Sequence, residues 1–279
     1  MFKGISIWSF GDKSLKEAFA LAKSAGFDGV EVALAEDGEI NLQTTGEQLA
    51  QIKALADASG IRLYSVASGL YWKYSLTSDD ETQREKAKSI VRKQLETAAA
   101  LGCDAILVVP GAVSVSFAPE LGVVDYAAAY DRALSAMKEL APYAEKLKVS
   151  IGIENVWNNF LLSPLEMRGF IDAVGSEYVG SYFDVGNVMF SGFPEQWIGI
   201  LGKRIKKVHF KDYRRAVGSL DGFVDILAGD VNYPEVMRAL RGAGYDGWVT
   251  AEMIPPYTHY SEAIIFNTSH SMDRILGRK

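Results

Sequence analysis

Four residues in the second half of the chain have the types and placement to act as one chemical unit. Glu154 closes the run Ser150-Ile151-Gly152-Ile153-Glu154, and Asp184 closes Gly180-Ser181-Tyr182-Phe183-Asp184. His209 falls in Lys207-Val208-His209-Phe210, and Glu252 follows Trp248-Val249-Thr250-Ala251. Three carboxylates and one imidazole form a mainly oxygen donor set, suited to a hard or borderline divalent ion such as Mn²⁺, Mg²⁺ or Co²⁺. Crowded together without a cation, the three carboxylates would repel one another and shift towards their protonated forms. Taken singly, each residue has a plainer use. An acidic residue at a strand end often caps the next helix, and a histidine there often serves local structure. Four on successive strand ends, all at one rim, are expected to hold a metal.

That expectation depends on elements that bring the four ends together. A short phrase recurs along the chain: Ala25-Gly26-Phe27-Asp28-Gly29-Val30, Leu101-Gly102-Cys103-Asp104-Ala105-Ile106 and Ala243-Gly244-Tyr245-Asp246-Gly247-Trp248. A looser copy is Ser59-Gly60-Ile61-Arg62-Leu63. Each reads as a helix ending on a left-handed glycine, then a tight turn and a buried strand. Such joints belong to a parallel sheet. Working outward from them gives eight strands, at 4–9, 29–34, 61–67, 105–109, 149–154, 179–184, 205–210 and 247–252. Helical periodicities lie between them. Ser14-x-x-Glu17, Ser78-x-x-Glu81 and Ser163-x-x-Glu166 match the capping box, the last with Pro164 at the first helical position. Eight β-then-α units in 279 residues predict a (β/α)₈ TIM barrel, one α/β domain over 1–279, whose active residues stand at the strand C-termini. A doubly wound open sheet would carry a glycine-rich phosphate turn after its first strand, and Trp8-Ser9-Phe10-Gly11-Asp12-Lys13 is not one.

Composition narrows the classes. Hydrophobic residues make up 48% and charged residues 23%, which fits a globular chain rather than a disordered one. The net charge of −6 speaks against nucleic acid as a partner. A single cysteine, Cys103, permits neither an intrachain disulfide nor a thiolate metal cluster, and it reads as a small buried hydrophobe. The first residues form no basic-then-apolar leader and no run approaches a membrane span, so a cytoplasmic enzyme without a membrane partner is expected.

The motifs Ile153-Glu154-Asn155, Phe183-Asp184-Val185-Gly186-Asn187, Val208-His209-Phe210-Lys211-Asp212 and Ala251-Glu252 resemble those of the xylose isomerase-like barrels. Within that superfamily they are most similar to the ketose 3-epimerases among the sugar epimerases and sugar-phosphate isomerases. The likeness spans nearly the whole chain and includes Gly26-Phe27-Asp28-Gly29-Val30-Glu31. It implies a metal-dependent isomerase with an ion, most often Mn²⁺ and otherwise Mg²⁺, Co²⁺ or Zn²⁺, on Glu154, Asp184, His209 and Glu252. It also makes Glu154 and Glu252 the acid/base pair. The residues fit that chemistry: a metal bridging a ketose carbonyl and its neighbouring hydroxyl acidifies the carbon-bound proton between them. One glutamate removes the proton to give a metal-bound enediolate, and the other returns one to the opposite face.

The resemblance extends to residues around the substrate. Arg215, six residues after His209, matches an arginine that contacts substrate oxygens. Its neighbours Lys211 and Arg214 also fit a solvated basic patch or a phosphate contact. Asn187 stands where the free-ketose 3-epimerases carry a substrate-binding histidine, and asparagine there resembles the sugar-phosphate branch. Glu31 matches a position beside the site. Trp72, in the aromatic loop after strand three, is a candidate substrate wall, as are Trp8 and Trp157. His259 could approach the site, and His270 reads as a surface residue. The substrate is expected to be a small sugar or sugar phosphate, and relatives of this kind form homodimers or homotetramers. The same site would also serve a dehydratase or lyase acting on a polyol or keto-sugar, or a hydroxypyruvate-type isomerase. An endonuclease of the related barrels would need more than the three histidines present.

Overall fold

Glycines set the helix-to-strand joints. Gly26, Gly60, Gly102 and Gly244 take φ angles of 83°, 67°, 77° and 76°, the left-handed region closed to most side chains. In a computed structural model, which describes residues 1–253 and 257–278, each joint feeds a parallel strand. The strands are β1 (Phe2–Ser6), β2 (Gly29–Ala33), β3 (Arg62–Ala67), β4 (Ala105–Val108), β5 (Ser150–Glu154), β6 (Val179–Asp184), β7 (Ile205–Phe210) and β10 (Trp248–Ala251). They close in the order β1-β10-β7-β6-β5-β4-β3-β2, a TIM barrel with helices between the strands. A short antiparallel pair, β8 (Asp212–Tyr213) with β9 (Phe223–Val224), rises from the loop after β7.

The first strand is displaced from its predicted place at 4–9. Ile7–Phe10 turns as a 3₁₀ helix, burying Ser9 and Phe10. Apolar run length alone cannot tell that turn from more strand.

Helix starts follow the predicted signals in part. Ser14 and Glu17 form the full capping box of α1 (Leu15–Ser24). Asp80, not Ser78, caps α3 (Glu81–Leu101), accepting from the Thr82 amide. Ser163 caps α5 (Pro164–Val174), but Glu166 accepts from the Leu162 amide instead of from the cap. A second full box pairs Thr45 with Gln48 on α2 (Gly46–Ser59), the same signature with glutamine in place of glutamate.

The remaining helices are α4 (Tyr126–Leu147), α6 (Val185–Val188), α7 (Pro194–Leu201), α8 (Tyr233–Gly242) and α9 (Ser261–Leu276). The apolar faces of the helices pack on the outside of the barrel, where Phe19 of α1, Leu95 of α3, Met137 of α4, Phe170 of α5 and Val236 of α8 are buried. Inside the barrel, Tyr182 fills the space beside Gly152, where a Cβ would lie 2.8–2.9 Å from the tyrosine. Cys103 is buried, which pushes its thiol pKa up, as expected of a packed hydrophobe. Among the described residues no helix is long and apolar enough to cross a membrane.

Candidate metal centre

Strand register places the four residues at one rim. Asp184 of β6 is the cross-strand partner of His209 on β7, His209 is the partner of Thr250 on β10, and Glu154 of β5 is the partner of Tyr182. Side chains two apart on a strand share a face, so Tyr182 and Asp184 both point into the barrel, as do His209 and Thr250 across the pairing. One ligand atom from each of Glu154, Asp184, His209 and Glu252 lies within 4.8 Å of the other three. All four residues are buried.

Each side chain is held so that one atom remains directed at its neighbours. Asp184 Oδ1 accepts the Asn187 amide at 2.7 Å and caps α6, leaving Oδ2 for the site. The Asn155 side chain clamps the Asp184 backbone, donating to its carbonyl at 2.8 Å and accepting from its amide at 2.9 Å. His209 Nε2 lies 2.9 Å from Glu31 Oε1. Because a carboxylate only accepts, Nε2 carries the proton and Nδ1 faces Glu252 Oε2 at 3.1 Å and Asp184 Oδ2 at 3.7 Å. Glu31 also accepts from the Tyr182 hydroxyl, and it is fully buried beneath the site.

Three buried atoms, Asp184 Oδ2, His209 Nδ1 and Glu252 Oε2, make no hydrogen bond of good geometry. Lys211 Nζ lies 2.6 Å from Glu252 Oε2 and 3.1 Å from Asp184 Oδ2, near enough for charge pairing. Orphaned donors and acceptors are rare in a folded interior. Three pointing at one another are what a cation would satisfy, so the residues fit a divalent ion.

The electrostatics diverge within the cluster. Burial pushes the Glu154 carboxyl up to about 8, Glu252 and Asp184 add to the rise, and Lys211 and His209 oppose it. Burial also disfavours ionisation of Glu252, but Lys211 and His209 overcome it and bring that carboxyl down to about 2. His209 is raised well above its ordinary value: burial opposes the charge, and Glu31 and Glu252 outweigh it.

The other residues singled out in the sequence are scattered about this centre. A cavity of about 680 Å³ opens over it, with Trp8, Trp72, Trp157, Asn187, Glu154 and Glu252 in its lining. Asn187 Nδ2 lies 3.3 Å from Glu154 Oε1 and donates to the Asn155 carbonyl at 3.0 Å. Arg215 does not line the cavity. Its Nη2 donates to the Gly192 carbonyl at 2.5 Å and its guanidinium covers the Phe193 ring. His259 and His270 are both exposed, and neither lines the cavity. Two contributors were missed, Lys211 and Tyr182. Each stands two residues from a predicted ligand, Tyr182 within β6 and Lys211 just past the end of β7, a period-two signal that could have found them.

The family model for xylose isomerase-like TIM barrels matches residues 19–269. The chain belongs to that family. It is 25% identical to the L-ribulose 3-epimerase of Methylomonas sp. over 98% of this chain and 92% of that protein. A match at 28% identity to an uncharacterized protein of Methanocaldococcus jannaschii spans 63% of this chain and 59% of that protein. Among solved structures, a D-tagatose 3-epimerase-like protein superposes with a TM-score of 0.81 at 22% identity, covering 99% of this chain and 97% of that one. The IolI protein, solved with a zinc atom, superposes with a TM-score of 0.79 at 18% identity, covering 99% and 98%. At these identities the structural matches show a shared fold.

Proposed function

We propose that the protein is a divalent-metal-dependent epimerase or isomerase of keto-sugars that moves a carbon-bound proton with two glutamates. The observation that carries this reading is the convergence of Glu154, Asp184, His209 and Glu252 around three buried atoms that lack a well-formed hydrogen bond. The curated epimerase relative supports the reaction class. These four side chains would hold one ion, Mn²⁺ by preference for a set of three oxygens and one nitrogen, with Mg²⁺, Co²⁺ and Zn²⁺ as alternatives. When bound, the ion supplies Lewis-acid polarisation of a keto oxygen and its neighbouring hydroxyl.

The chain's own groups do the rest. Glu154 ends β5 and Glu252 directly follows β10, strands on different sides of the barrel mouth. A keto-sugar between them meets a carboxylate on each face. One carboxylate accepts the proton from the carbon between carbonyl and hydroxyl, leaving an enediolate, and the other delivers a proton to the opposite face. Asn187, beside Glu154, orients that carboxylate and a substrate hydroxyl, and Trp72 supplies a wall for an apolar sugar face. Glu31 acts beneath, by fixing His209. Arg215 reaches substrate oxygens when its bond to the Gly192 carbonyl opens.

The test is exchange of carbon-bound protons with deuterated solvent, followed by nuclear magnetic resonance on a ketose panel. Exchange should require added metal. Glu154→Gln and Glu252→Gln should each lower inversion by about 10²–10⁴-fold. One variant should still exchange from one epimer only, and the other from its partner epimer. Near wild-type inversion by either variant with metal bound would refute the two-glutamate mechanism. Loss of a β-hydroxyl in the product would instead favour a dehydratase.

A further inference from the structure

A second cavity, of about 690 Å³, adjoins the one over the metal centre. Phe117, Val156, Trp157, Asn187 and Leu220 line both, so the two chambers adjoin along these side chains. A ketohexose has about 12 heavy atoms, and even at the ~30 Å³ that a water molecule takes in the liquid it needs no more than about 360 Å³. The first cavity alone exceeds that bound. A bare monosaccharide would leave the second chamber unfilled.

The second chamber is built of aromatic and aliphatic surface. Trp157 is pinned by its indole N–H, which donates to the Asn187 carbonyl at 3.0 Å. The Phe190 ring lies 4.9 Å from it at 45°, and Phe160 and Leu162 continue the wall. Phe190 is 56% exposed, Leu162 60%, Phe117 46% and Leu220 41%. Large apolar side chains exposed side by side in a concave wall mark a place where an apolar group binds. Among the described residues lining either chamber, Lys211 is the one basic side chain, while Asp221 and Asp225 add negative charge. A phosphate dianion would find no free cation in these walls, because Lys211 faces Asp184 and Glu252 and the nearby Arg215 is held by the Gly192 carbonyl and the Phe193 ring.

We infer that the substrate is an uncharged keto-sugar glycoside, its oxo group on a ring carbon other than the glycosidic one, with that sugar ring over Glu154 and Glu252 and an apolar, aryl-sized aglycone in the chamber of Trp157, Phe190 and Leu162. This rests on the epimerase reading and specifies its substrate class. Asn187 belongs to both chambers and lies 3.3 Å from Glu154, so the reacting carbon and the aglycone sit on either side of one residue.

Binding tests this without turnover. Phenyl β-glucoside and methyl β-glucoside serve as probes of the metal-loaded protein, by titration calorimetry or saturation-transfer resonance. The phenyl glucoside should bind at least about tenfold more tightly, the worth of burying one aromatic ring. Phe190→Ala and Leu162→Ser, both at exposed positions, should bring the phenyl-to-methyl ratio towards one. Equal affinities, binding of neither probe, or tighter binding of fructose 6-phosphate would overturn the inference. So would a Phe190→Ala variant that dissociates a dimer while keeping the ratio, since a second copy would then be the occupant. Solvent exchange separates the two readings. Proton exchange in free ketoses without any aryl preference retains the epimerase and removes the glycoside, whereas aryl preference with no exchange in any keto-sugar does the reverse.

Discussion

Replacing Glu31 by glutamine should weaken divalent-ion binding by about 10–100-fold, although Glu31 offers no atom to the ion. The carboxylate is fully buried, lies 2.9 Å from His209 Nε2, and also receives the Tyr182 hydroxyl. It fixes the imidazole tautomer that turns Nδ1 towards Glu252 and Asp184, and its charge raises the basicity of that nitrogen. Glutamine keeps the shape and an accepting oxygen, so the fold should persist while the charge is lost. Partners of ligating histidines are worth that factor in affinity, or about 1.4–2.8 kcal/mol. Competition against a fluorescent chelator with Mn²⁺ and Zn²⁺ measures it directly. Tyr182→Phe, which leaves the Glu31–His209 contact in place, should cost less. Wild-type affinity in a folded Glu31→Gln protein would refute the reasoning, as would a larger loss in Tyr182→Phe.

Three further outcomes follow from the same geometry. Metal uptake should release protons, because the metal-free protein holds Glu154 protonated up to about pH 8 and His209 charged. The release, read from calorimetric heats in buffers of different ionisation enthalpy, should fall as pH rises past about 8, and a pH-independent heat would contradict it. Gly186→Ala should lower stability by about 1–3 kcal/mol, since the added methyl would overlap Lys211 Cβ, and a thermal melt at unchanged midpoint would count against that packing. Arg215→Ala should lower kcat/KM with metal content unchanged; unaltered kinetics on the true substrate would confine Arg215 to its contacts with Gly192 and Phe193.

Much of the fold is legible because its joints are written in a local code. The left-handed glycines Gly26, Gly60, Gly102 and Gly244 after helical periods mark strand starts, and β2, β6 and β7 lie within one residue of their predicted bounds. The first strand is misplaced because Ile7 and Trp8 are as apolar as the residues before them, yet pack in a turn. At the site, Glu154, Asp184, His209 and Glu252 are readable from strand ends alone, since a closed barrel brings all such ends to one rim. Asp184 also shows why single residues mislead: it is both a helix cap and a group aimed at the site, using different oxygens. Lys211 reads in the sequence as one of three loop cations, and only the inward face it shares with His209 separates it from Arg214 and Arg215. The groove beside Trp157 is not legible in this way. Phe117, Leu162, Phe190 and Leu220 come from four loops with no common spacing, and only closure of the barrel gathers them.

The central claim is that four side chains hold one divalent ion. Native mass spectrometry of protein titrated with Mn²⁺ or Zn²⁺, on the wild-type chain and on Asp184→Asn, tests it most directly. Asparagine preserves the helix-capping oxygen and removes the charge aimed at the site, so the variant should fold and lose the ion, while the wild type takes up one ion per chain. A wild-type chain that binds no ion at micromolar metal, or an Asp184→Asn chain that binds it equally well, would contradict the claim.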